Sequence, residues 1–149
     1  MSFPVFDFHC DTATELLGRD LSGSTSLRSN KLHIDLERGR TLGGYAQCFA
    51  FWCTTDLPLP KGIKMEDVFW REVSVLQDAI DKNSDWIRQA RTPADIRANL
   101  DAGLISAIFN WKALPALALS LPNWKSSIIS VSEYLHWAGM RRTASPAPM

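Results

Sequence analysis

The sequence predicts an α/β fold built on a parallel sheet, and three observations carry that prediction. Strand-like apolar runs recur at Val5 to Asp11, Tyr45 to Cys53 and Leu104 to Phe109. Helical patterns separate them, the longest running from Met65 to about Ala90. The middle run, Tyr45-Ala46-Gln47-Cys48-Phe49-Ala50-Phe51-Trp52-Cys53, is apolar on both faces, as strands of a helix-covered parallel sheet tend to be. Strand, helix, strand in repetition implies right-handed crossovers. With 149 residues, 46% of them apolar and 21% charged, the chain is long enough for one globular domain with a proper core.

The first strand reads as buried, and it carries the chemistry. Side chains alternate along a strand, so Val5, Asp7, His9 and Asp11 point one way and Phe6, Phe8 and Cys10 the other. One face is apolar, and the other is a D-x-H-x-D run whose His9 and Asp11 can both reach one divalent cation. Burying a carboxylate or an imidazole unpaired is costly, and a bound cation reverses that balance. An isolated H-x-D also arises where the two side chains simply hydrogen-bond each other or solvent. Position favours the metal site here: the pair ends an apolar strand, Thr12 follows as an N-cap, and Ala13 to Leu17 is helical. Strand tips that lead into helices are where α/β barrels hold their active sites.

The remaining elements follow in order. Ser22-Gly23-Ser24-Thr25-Ser26 reads as a mobile loop rather than packed structure. Ile34 to Arg38 suggests a short helix closed by Gly39, Gly43 and Gly44. Thr54 to Lys64, with Pro58 and Pro60, is a loop. From Met65 to about Ala90 the residues Phe69, Val73, Leu76, Ala79, Ile80 and Ile87 recur at helical spacing and predict one long amphipathic helix. Thr92 at the N-cap and Pro93 at N1 start another helix, which ends near Gly103. Leu104 to Phe109 is the third strand.

Charge and cysteine usage exclude several classes of function. Sixteen basic and sixteen acidic side chains give zero formal charge and remove any general electrostatic case for nucleic acid or an anionic membrane. The N-terminus lacks a basic region followed by an apolar core, and no stretch approaches the roughly 20 apolar residues that span a bilayer, so the expected location is the cytoplasm. Cys10, Cys48 and Cys53 fit no disulfide framework and suit a reducing compartment. Cys48 and Cys53 read as small core residues, and Cys10 faces away from His9 and Asp11.

The stretch from Phe6 to Phe109 resembles the start of the membrane dipeptidase family of zinc peptidases, within the amidohydrolase superfamily. The matches are Asp7, His9 and Asp11, then Ile34-Asp35-Leu36-Glu37-Arg38 leading through glycines to Gly43-Gly44-Tyr45-Ala46-Gln47-Cys48-Phe49. A weaker match joins Asn99-Leu100-Asp101-Ala102-Gly103 to Leu104-Ile105-Ser106-Ala107-Ile108. The resemblance implies the N-terminal portion of a (β/α)8 TIM barrel, about three strand-helix units, over residues 1–110. It also implies hydrolysis of dipeptides by two zinc ions that share a glutamate after the third strand and turn a bound water into hydroxide. His9 and Asp11 would serve the first ion, with Asp7 as a supporting group. The bridging glutamate is missing: after Phe109 the chain reads Asn110-Trp111-Lys112-Ala113.

Residues 111–149 form an aberrant or divergent tail with no clean period. They hold four basic residues, one acid (Glu133) and no Asp, against twelve basic and fifteen acidic residues before them. The genetic code offers a reason. Read from the last base of the Asn110 codon, the bases through Ala113 encode Leu, Glu and then Gly or Ser, with the Glu forced. Asn123-Trp124-Lys125-Ser126 likewise yields Leu-Glu. Across Ser130 to Thr143 the shifted frame permits nearly the whole family pattern G-V-R-x-x-T-L-T-W-N-x-x-N, with Gly forced at the second Thr. The chain therefore reads as a dipeptidase whose frame slips near Ile108 to Asn110. The competing reading is a genuine, divergent C-terminal segment.

Three strand-helix units cannot close an eight-stranded barrel, so an open sheet edge and poor stability are expected. His33 reads as a surface residue, and His136 matches neither second-ion ligand. His9 and Asp11 alone give at most one partial zinc site, short of the three protein ligands of a catalytic zinc. The function expected from the resemblance is thus a zinc metallodipeptidase acting on dipeptides, present as an inactive fragment. Two alternatives stand beside it. One is a non-catalytic α/β module that self-associates through its open sheet edge; the other is a different amidohydrolase-type hydrolase, such as one acting on a cyclic amide.

Overall fold

The computed structural model describes residues 4–18, 22–51 and 61–111, with Trp111 described by its backbone alone. The elements run β1 (Val5–Cys10), α1 (Thr12–Leu17), α2 (Leu36–Arg40), β2 (Tyr45–Phe51), α3 (Met65–Asp81), β3 (Ile87–Gln89), α4 (Pro93–Asp101) and β4 (Ile105–Trp111). The four strands are parallel throughout and lie in the order β1-β2-β4-β3. The α/β class and the parallel sheet are as the sequence predicts.

The core forms on two faces of β2 and β4, because alternate residues of these central strands point opposite ways. Tyr45, Phe49 and Phe51 of β2, with Ile105, Ala107 and Phe109 of β4, pack with Leu16 of α1 and Phe69, Leu76 and Ile80 of α3. Phe51 is the hinge of an aromatic group, edge-on to Phe69 at 5.9 Å and to Phe109 at 5.1 Å. On the other face Ala46, Cys48 and Ile108 pack with Ile96 and Leu100 of α4. The strand order explains this division. The β2-to-β3 crossover moves outward past β4 and the β3-to-β4 crossover returns, so right-handed connections put α3 and α4 on opposite faces.

β2 is buried in all seven residues, matching its run of apolar residues. In α3 the buried side chains Phe69, Glu72, Leu76 and Ile80 fall three or four apart, as an amphipathic helix requires. Asp35 caps α2, its carboxylate accepting from the Arg38 N–H at 2.9 Å and bonding the Arg38 guanidinium. Thr92 and Asp95 form a reciprocal capping box at the start of α4, with Pro93 in its first turn, as predicted.

Three expectations need correction. Among the described residues β1 is a sheet edge rather than a buried strand: there it pairs with β2 alone, and Val5 and Phe8 are 41% and 45% exposed. The long helix stops at Asp81, and a fourth strand follows it. Lys82, Asn83, Ser84 and Asp85 are polar, the Asn83 side-chain amide donates to the Ala79 carbonyl at 2.7 Å, and the Asn83 carbonyl accepts from Trp86 and Ile87. The turn leaves Ile87 fully buried against Ile105, so its apolar spacing reflects a strand rather than another helical turn. Ser22 to Ser26 is a loop, as expected, with Ser22, Ser24 and Ser26 exposed; it is anchored at Gly23, whose N–H bonds the Leu17 carbonyl at 2.9 Å and where a Cβ would stand 3.0 Å from Val75. The N-cap of α1 is Asp11, one residue before Thr12.

Cys53, most of the 54–64 loop and residues 112–149, with His136 and the apolar tail segments, lie outside the described residues. No helix among the described residues is long and apolar enough to cross a membrane.

Candidate metal centre

The C-terminal tip of β1 brings the predicted pair together. His9 Nε2 stands 3.1 Å from Asp11 Oδ1, with side chains 39% and 55% exposed. Asp11 has no side-chain bond to the α1 N-terminus it caps; its backbone carbonyl takes the Glu15 N–H instead. The carboxylate is therefore turned toward the imidazole, and the two present adjacent nitrogen and oxygen donors to solvent where strand meets helix.

The rest of the run departs from simple alternation. Asp7 pairs with Gln47 and Cys10 with Phe49, so Phe8 and His9 together stand opposite the single residue Cys48. This is a β-bulge, uncommon between parallel strands. It carries Cys10 into the helix-side core with Phe49 and Ala13, the face on which Asp7 meets Tyr45 and Gln47. Asp7 and Cys10 thus share a face, and Asp7, His9 and Asp11 do not form one row. The physical reason is register: one extra residue inverts every side chain beyond it.

Asp7 still supports the pair, through the backbone, since its Oδ1 accepts the His9 N–H at 3.1 Å. Beneath it lies a polar cluster inside an otherwise apolar strand. Gln47, fully buried, donates to the Cys48 carbonyl at 3.0 Å and to the Asp7 carbonyl at 3.5 Å, and its Oε1 accepts from the Tyr45 hydroxyl. Burial, reinforced by the Asp7 carboxylate, pushes the Tyr45 hydroxyl pKa up, so it remains a donor. Burial likewise raises the Cys10 thiol to about 11 and the Cys48 thiol to about 12. Both cysteines are buried and free, and burial favours the neutral thiol.

The donor set fits a metal only in part. Among the described residues no group of three His, Cys, Asp or Glu gathers where it could hold an ion. Near the end of β4, Asn110 stands opposite Ala50 and half-buried, where the resemblance would have an acidic ligand. His33 is exposed on the loop before α2, as predicted. The signal that exposes the Tyr45–Gln47 cluster in the sequence is two polar groups in one apolar strand; the bulge leaves no such mark.

Comparison with solved structures places this fold. A crystal structure of a metallo peptidase from Rhodobacter sphaeroides, liganded with a phosphinate mimic of the dipeptide L-Ala-D-Ala, is 23% identical with a TM-score of 0.63, covering 80% of this chain and 42% of that one. The dipeptidase AC, a metallo peptidase of family M19, is 24% identical with a TM-score of 0.63, covering 80% of this chain and 41% of the other. The chain therefore spans less than half the length of either. The likeness shows the fold alone: it matches part of the α/β fold of these two metallo peptidases. No protein-family model matches the chain, and no curated protein does.

Proposed function

We propose that this chain is the opening portion of a zinc-dependent dipeptidase, with His9 and Asp11 as two ligands of one ion, and that alone it does not turn over substrate. The observation that carries the reading is the His9–Asp11 donor pair, 3.1 Å apart at a strand tip in a fold shared with metallodipeptidases. Zinc held there by His9 and Asp11 with further ligands would act as a Lewis acid toward a peptide carbonyl and lower the pKa of water. This chain's residues do less: His9 and Asp11 present a nitrogen and an oxygen donor, Asp7 accepts the backbone N–H of His9, and Asn110 offers no carboxylate. Two protein ligands fall short of the three that a catalytic zinc uses. The unit read as residues 1–110 would thus need further strands to supply the remaining ligands and the substrate pocket.

The test is zinc binding by equilibrium dialysis, together with hydrolysis of dipeptides including L-Ala-D-Ala. Weak zinc binding lost in His9→Ala, with no hydrolysis by the parent chain, supports the proposal. Metal binding that His9→Ala leaves intact removes the ligand assignment, and zinc-dependent turnover by the parent removes the claim of incompleteness.

A second reading has one observation in its favour. Val5 and Phe8 on the edge strand are exposed, which suits a non-catalytic module that self-associates along β1. Concentration-dependent, metal-free dimers that a Phe8→Lys substitution abolishes would favour it.

A further inference from the structure

We infer that Gln47 is a positioning residue for the metal-binding tip: it holds the β1 bulge that turns His9 away from the helix-covered face and toward Asp11. Strict alternation from Asp7 would put His9 on the face where Asp7 meets Tyr45 and Gln47, and would put Cys10 opposite. The observed register reverses both residues. Cys10 is buried, and His9 stands in reach of Asp11.

A bulge interrupts the ladder and leaves backbone groups needing partners. Here side chains supply them. The Gln47 amide donates from within the core to the carbonyls of Cys48 and Asp7, the residues beside and before the two-for-one step. Asp7 Oδ1 takes the His9 N–H. Tyr45 in turn fixes the orientation of the Gln47 amide, because its hydroxyl donates to Oε1 and leaves the NH2 facing the bulge. Gln47 touches neither donor of the candidate site and acts through the strand that carries them. The zinc arm of the test rests on the proposed function; the backbone arm does not.

The experiment compares the parent chain with Gln47→Leu, which keeps side-chain bulk and removes the amide, and with Asp7→Ala, which removes the His9 acceptor at a less buried position. Amide hydrogen exchange at His9 is read by NMR against the Ala107 and Ile108 amides of the β4 ladder, and affinity is read with Zn2+ alone. Exchange at His9 should quicken by about tenfold or more in Gln47→Leu while the β4 amides hold, and Zn2+ affinity should fall by about tenfold. Should Gln47→Leu fail to fold, Tyr45→Phe replaces it and must show the same selective loss at His9. A folded variant with parent-like His9 exchange overturns the inference. Selective loss of His9 protection in a chain whose parent binds no Zn2+ upholds the positioning role and removes the metal assignment instead.

Discussion

The backbone N–H of His9 donates to the Oδ1 of Asp7, two residues earlier in the same strand. That bond is the local sign of the bulge, and the bulge decides what each residue of D-x-H-x-D can do. Asp7 is drawn into a buried polar cluster with Tyr45 and Gln47, whereas His9 and Asp11 are left at the tip as adjacent donors. Asp7 thus supports the backbone of the run, and His9 and Asp11 are the two side chains that meet at its end.

Gly39 and Gly103 should respond to alanine for different reasons. A Cβ at Gly39 would lie 2.8 Å from the Tyr45 ring and 3.2 Å from Ile105, both in the core, so Gly39→Ala should cost about 1–3 kcal/mol by overpacking. Gly103 has open space around it but φ of +69°, and Gly103→Ala should cost about 1 kcal/mol through backbone strain. Urea denaturation of both variants checks the order.

Stability should fall on the acid side. Burial alone would raise the Asp35 carboxyl, but bonds from the Arg38 guanidinium and the backbone N–H groups of Arg38 and Asn30 outweigh it and hold the carboxyl below its usual range. Asp95 is lowered as well, by the Arg91 backbone N–H first and the Thr92 hydroxyl next. A pKa depressed in the folded state gives stability that is present above the unfolded value of about 3.9 and lost as pH falls through the folded one. The urea midpoint should hold as pH falls toward about 4 and then drop, and Asp35→Asn should flatten that drop.

Thr92 accepts the Asp95 N–H and closes the box at the head of α4. Thr92→Ala should cost about 1 kcal/mol, whereas Thr92→Ser should cost little, because the hydroxyl is retained. Thermal melts of the two variants distinguish them.

Phe51 joins α3 to β4 through Phe69 and Phe109 and is fully buried. Phe51→Ala should cost about 3–5 kcal/mol, enough to unfold much of a marginal domain. Phe51→Leu, which keeps most of the volume, should remain folded by circular dichroism.

The sequence makes the parallel sheet, the fully buried β2, the capping of α4 and the His9–Asp11 pair legible, because each is written in local patterning. Ile87 shows where that fails: its spacing from Ile80 suits a helix, and only the polar turn at Lys82 to Asp85 and the pairing with Ile105 make it a strand. The bulge fails likewise, since register is set by the partner strand, and Cys48 opposite Phe8 and His9 cannot be read from β1 alone. The placement of α4 on the second face follows from strand order, which no single segment encodes.

In the proposed reading, the chain carries the first part of a metallodipeptidase site and lacks the acid that would bridge its metals. The nucleotide sequence from the Ser106 codon to well beyond that of Met149, read in all three forward frames, tests it most directly. If the frame slips near Ile108 to Asn110, the shifted frame stays open past Met149, carries the Glu codon across Trp111 and Lys112, and later places histidines at strand ends. A shifted frame that closes within a few codons would contradict it, and would make Trp111 to Met149 an authentic segment of a protein without that acid.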